Sequence, residues 1–222
     1  EVGPDFPLIM RMNGADFIQG GLTIEEAMRQ APLLEEAGAD ALNVSGSARE
    51  GTHYKSIPFL SPSAGITHLA AAIKKVVKIP VITVGKIGDP YLAEKILQEG
   101  RADFICMGRQ LLADPEWPNK AKEDRFDDIL LCIYCNQGCL GESGRQLYHS
   151  TTCLINPACG REKEFELKPA PKTKKVIVIG GGLAGMEAAR IAAQRGHQVS
   201  LYEKSDKLGG QWNIAAIQDY KE

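Results

Sequence analysis

Cys132, Cys135, Cys139 and Cys153 stand at the spacing C-x2-C-x3-C-x13-C within "CIYCNQGCLGESGRQLYHSTTC". Four thiolates in so short a segment are soft ligands for zinc or for an iron–sulfur centre, and softness alone does not choose between them. The spacing leans one way. Zinc ribbons usually present two C-x2-C knuckles. Here three thiols crowd together and the fourth follows later, as in a loop wrapped around a 4Fe-4S cubane. Disulfides are the plainer alternative, and the opening "EVGPDFPLIM" carries no sign of export to an oxidising compartment. Cys106, inside an apolar run, reads as a small buried hydrophobe, and Cys159 as a fifth thiol that one cubane does not need.

A second set of residues follows a charged, proline-bearing linker, "KEFELKPAPKTK". In "KVIVIGGGLAGMEAARIAAQRGHQVSLYEK" a strand leads into Gly180-x-Gly182-x-x-Gly185, then a helix, a second strand and Glu203. Gly180 makes the turn, Gly182 lets a pyrophosphate approach the backbone, and Gly185 lets helix and strand pack closely. Glu203 is expected on a ribose hydroxyl, which favours FAD or NAD over NADP. "KLGGQW" directly afterwards tilts the choice to FAD, with Ala184 and Gln211 joining the candidate binding residues.

A third set is spread along the first half of the chain. Arg11 and Asn13, Ser45 and Ser47, Gly85-Lys86 and Gly108-Arg109 each follow a short apolar run. Glycine plus a cation at two successive loops suits an anionic phosphate, although a tight turn with a surface cation is the simpler reading of either alone.

The elements that must carry these residues are legible from the pattern. Strands are expected over Pro7 to Met12, Ala41 to Gly46, Pro80 to Gly85 and Asp103 to Gly108. Between them Thr23 with Glu26 opens one helix, Ser61-Pro62 opens a run to Val77, and Asp89-Pro90 opens another. Such βα alternation implies a parallel sheet, either open or half of a (β/α)8 TIM barrel, and polar residues at every strand end favour the half-barrel. The expected organisation is therefore α/β throughout. It comprises a half-barrel over 1–128, a cysteine loop over 129–162, a linker over 163–174 and the start of a Rossmann-like FAD/NAD(P)-binding domain over 175–222.

Composition narrows the partners. The 222 residues are 44% hydrophobic with a net charge of −2, and no basic stripe or long apolar run is present. Nucleic acid and membrane are thus not expected, and six cysteines without a secretory signal point to the cytoplasm. Oligomeric state is left open, a homo-oligomer included.

In order along the chain, the phosphate-binding barrel end, "CIYCNQGC", "CLINPACG", "GGGLAGMEAA" and "LGGQWNIA" resemble the iron–sulfur flavoenzymes around 2,4-dienoyl-CoA reductase, 2-enoate reductase and trimethylamine dehydrogenase. These are old yellow enzyme-like NADH:flavin oxidoreductases. The resemblance implies an FMN barrel of which this chain is the second half, one 4Fe-4S cluster, and an FAD module fed by NAD(P)H. Electrons would pass from NAD(P)H through FAD and the cluster to FMN, and on to the C=C bond of an unsaturated carbonyl or acyl-CoA. Oxidative demethylation of an amine, an electron-transfer or diaphorase role, and a zinc-stabilised scaffold stay open beside it. Arg11 matches the family's arginine at the flavin pyrimidine edge, and Gly85, Lys86, Gly108 and Arg109 match its FMN phosphate site. Lys86 stands where the dienoyl reductase has arginine, which keeps the charge and loses a bidentate fork. His53, in "GTHYKSIP", falls where the reductase carries a histidine facing the substrate carbonyl, in a longer loop, with a plain surface histidine as the alternative.

Overall fold

The computed structural model describes residue 3 and residues 5–47, 61–140 and 151–216. The catalytic candidate His53 lies outside them. The chain divides into two compact units, Glu1–Arg161 and Glu162–Glu222.

In the first unit β1 (Ile9–Asn13), β2 (Ala41–Ser45), β3 (Val81–Thr83) and β4 (Phe104–Ile105) alternate with α1 (Ile24–Glu36), α2 (Thr67–Ile73) and α3 (Pro90–Gln98). All the pairings are parallel and the spatial order is β1-β2-β3-β4. A doubly wound sheet reverses its strand order at a switch point, whereas here each strand is added to the same edge. That is the progression of half a TIM barrel.

Register sets what each face carries. Arg11 pairs with Asn43, Asn43 with Ile82 and Ile82 with Phe104, so these four share one face. On the other face Leu42, Val44 and Val81 are buried against Ala27 and Ala31 of α1 and Leu69, Ala70 and Ile73 of α2. Alanines four apart on α1 present no bulk, which lets the helix lie close to the sheet. The first face is open: Ile9 and Phe104 are 55% and 56% exposed.

Helix starts follow the local chemistry. Thr23 Oγ1 accepts the Glu26 N–H at 3.3 Å while Glu26 Oε2 accepts the Thr23 N–H at 2.9 Å, a reciprocal cap. Asp89 accepts from the Tyr91 and Leu92 amides, with Pro90 in the first turn of α3. The run opened by Ser61-Pro62 is less helical than its sequence suggests. Ala64 takes φ 56°, outside helical space, so α2 begins only at Thr67. The third strand is likewise trimmed, because Gly85 and Lys86 take φ 122° and 55° and turn the chain out of the sheet.

Beyond β4 come α4 (Arg109–Ala113), α5 (Trp117–Lys122) and a 3-10 turn at Phe126–Asp128. The second unit is β5 (Lys175–Ile179), α6 (Leu183–Gln194), β6 (Gln198–Tyr202) and the short α7 (Trp212–Ala215), with β5 and β6 parallel in register.

Candidate functional site

The ends of β1 to β4 surround a cavity of about 550 Å³. Arg11, Gly85, Lys86, Gly108 and Arg109, picked out separately in the sequence, all line it. Arg11 is held over the sheet face by its neighbours, Nη2 donating to Ser45 Oγ at 2.9 Å and Nη1 to Asn43 Oδ1 at 3.4 Å. Lys86 Nζ donates to the Ser61 carbonyl at 2.6 Å. Burial, and then the nearby Arg109 charge, hold the Lys86 ammonium below its ordinary pKa. Arg109 Nη1 donates to Asn136 Oδ1 at 2.5 Å. Two cations beside two glycines have the chemistry that would suit a phosphate-bearing ligand.

Arg109 also lines a second, narrow cavity, together with Cys132, Cys135, Cys139 and Cys153. Leu112, Ile133, Leu154 and Ile155 supply the apolar part of its wall. Burial pushes the Cys132 and Cys139 thiols up, while the Arg109 charge draws both back towards ionisation. The Tyr134 N–H, 3.4 Å from Cys132 Sγ, acts in the same direction on Cys132. A Cβ at Gly138 would stand 2.5 Å from the Thr152 carbonyl oxygen, so only glycine lets these two stretches meet and bring Cys139 towards Cys153. Among the described residues no three His, Cys, Asp or Glu converge as a single metal ion would need. Cys159 is 4% exposed, its N–H on the Asn156 carbonyl, and is not part of the cavity wall.

Three polar residues that the sequence did not single out fix this loop to the half-barrel. Gln110, 2% exposed, donates from Nε2 to the Leu130 carbonyl and accepts the Cys132 N–H at Oε1, both at 2.9 Å. Asp114 accepts from Lys120 Nζ at 2.7 Å and from the Leu130 N–H at 2.9 Å. Asn156 Nδ2 donates to the Leu112 carbonyl at 2.9 Å. Tyr134 was also passed over. Its ring lines the cation cavity, and burial pushes its phenol up to about 12.

In the second unit Gly180, Gly182, Ala184, Gly185 and Gln211 line a cavity of about 600 Å³. A Cβ at Gly185 would collide with the Gly180 carbonyl oxygen, the close helix-to-strand approach expected of the third glycine. The Gly209 N–H donates to the Gly181 carbonyl at 2.8 Å, which stitches the "LGG" segment to the glycine turn. Glu203 stands beside this cavity rather than in its wall. Its carboxylate accepts the Gly181 N–H at 2.6 Å, the Ser205 N–H at 2.9 Å and the Ser205 hydroxyl at 3.0 Å. The Ser205 and Gly181 amides hold it down to about 2.

A parallel half-barrel with paired cations at its strand ends, followed by a glycine-rich βαβ unit, is an arrangement suited to a phosphate-bearing ligand and a dinucleotide. The chain belongs to the NADH:flavin oxidoreductase / NADH oxidase family, which it matches over residues 1–128. Residues 175–219 match the FAD dependent oxidoreductases. An NADH oxidase of Thermoanaerobacter brockii is 52% identical over 97% of this chain and 33% of its own. A cinnamate reductase of Clostridium sporogenes is 40% identical over 99% of this chain and 35% of its own. A 2-naphthoyl-CoA reductase solved with 2-naphthoyl-CoA superposes with a TM-score of 0.88 at 38% identity, covering 99% of this chain and 34% of that one. The chain thus spans about a third of the length of the curated relatives it matches. Among the described residues no helix is long and apolar enough to cross a membrane.

Proposed function

We propose that the full-length protein is an NAD(P)H-dependent reductase of the C=C bond in an unsaturated carboxylate or acyl-CoA. FMN is assigned to the strand-end cavity, a 4Fe-4S cluster to Cys132, Cys135, Cys139 and Cys153, and FAD to the glycine turn. Bound there, the flavins supply hydride exchange and the cluster one-electron transfer. The observation that carries the reading is the position of Arg109, which lines both the cation cavity and the thiol cavity.

The chain's own residues bind and orient. Lys86 and Arg109 neutralise a phosphate, and Arg11 presents a fixed cation to a ring that gains negative charge on reduction. The four thiols line one cavity as a soft donor set, and their spacing in the sequence favours the cubane. The substrate class is supported by two relatives, one named for cinnamate and one solved with an aromatic acyl-CoA.

Anaerobic NAD(P)H oxidation by the full-length protein should depend on an added enoate or enoyl-CoA. Flavin reduction by an amine, without enoate reduction, would favour oxidative demethylation instead. His53 is proposed as the acid or carbonyl-polarising group. His53→Ala should slow only the alkene step, by about 10² to 10⁴, and leave flavin reduction by NAD(P)H intact.

A further inference from the structure

Tyr134 sits between Cys132 and Cys135 in the sequence, yet its ring belongs to the cation cavity. Lys86 Nζ lies 5.2 Å from the ring centroid and the Arg109 guanidinium carbon 4.9 Å from it. Two like charges brought to one place repel, and the negative face of an aromatic ring offsets part of that repulsion. The same residue is tied to the thiols. Its N–H donates to Cys132 Sγ at 3.4 Å, and Asn136, two positions on, accepts from Arg109 at 2.5 Å.

Backbone conformation gives independent support. Lys86 and Tyr134 take φ 55° and 51°, the left-handed region that is costly for residues with a Cβ. Glycine at 134 would relieve that cost, so a tyrosine held there marks a side chain with a task. Its hydroxyl is buried and meets no hydrogen-bond partner among the described residues, and both cation contacts are to the ring.

We propose that Tyr134 is a positioning residue whose ring gathers Lys86 and Arg109 into one anion site, so that the loop built around the four thiols sets the half-barrel's affinity for the flavin phosphate. The proposal rests on the assignment of FMN to the strand-end cavity. It makes the cysteine loop a determinant of flavin choice as well as a holder of metal.

The test compares FMN with riboflavin, which has the same ring system and no phosphate. Full-length protein freed of FMN is titrated with each, and quenching of flavin fluorescence gives both dissociation constants. Wild type should prefer FMN. Tyr134→Phe keeps the ring and should keep that preference. Tyr134→Leu keeps apolar bulk without a π face and should lose about tenfold of the preference, equivalent to about 1.4 kcal/mol, with riboflavin affinity unchanged. An unchanged preference in Tyr134→Leu overturns the proposal. So does equal loss of both flavins, which would mark a packing role. A wild type that binds the two flavins equally overturns the phosphate assignment of the cavity, and the proposal with it.

Discussion

Gln110→Leu should release the cysteine loop from the half-barrel. Leucine fills much of the buried space but can neither donate to the Leu130 carbonyl nor accept the Cys132 N–H, two bonds of 2.9 Å each. An unsatisfied buried group costs about 1–3 kcal/mol, and partial access of water to Leu130 and Cys132 returns some of it, so about 2–4 kcal/mol should be lost locally. Amide exchange over residues 129–135 should therefore accelerate by about 30-fold to 1000-fold. Iron retained after anaerobic purification should fall with it. Gln110→Glu keeps the acceptor for Cys132 and loses the donor to Leu130, so it should land between. Wild-type exchange rates and iron content in Gln110→Leu would refute the idea that this side chain clamps the loop.

Asp114→Asn leaves Lys120 without its charge partner in a pair whose side chains are only 3% and 16% exposed, and should cost about 3 kcal/mol, read as a lower thermal midpoint of the first unit. Gly185→Ala forces a methyl onto the Gly180 carbonyl; flavin analysis should show FAD lost and FMN kept, with a local cost of about 1–3 kcal/mol. Glu203 has a folded pKa depressed from 4.5 to about 2. Its contribution to the glycine turn is thus fully present above about pH 4.5 and is lost as the pH falls towards 2. The Gly181 amide resonance should titrate with a midpoint near 2, and a midpoint near 4.5 would show that the Gly181 and Ser205 bonds do not persist in solution.

What the sequence made legible was local. Thr23 with Glu26 and Asp89 with Pro90 announce helix starts because a cap involves residues only two or three positions apart. The apolar runs located the four strands described in the first unit, though not their ends, and the glycine spacing located the turn with its neighbouring Glu203. Helix α2 was overextended because nothing in "SPSAGIT" signals the positive φ of Ala64. Gln110 and Asn156 were missed for another reason. A single polar residue on a short helix or in a loop reads as a solvated position. The backbone carbonyls they hold lie 20 and 44 residues away and come near only through tertiary folding. Tyr134 read as a spacer between cysteines, since spacing shows which thiols cooperate but not where the side chains between them point.

Metal analysis of anaerobically purified full-length protein tests most directly whether Cys132, Cys135, Cys139 and Cys153 form an electron-transfer centre beside the cation cavity. One cubane on these four thiols predicts about four iron atoms per chain, broad visible absorption near 400 nm, and no stoichiometric zinc. One zinc per chain with no iron would contradict it.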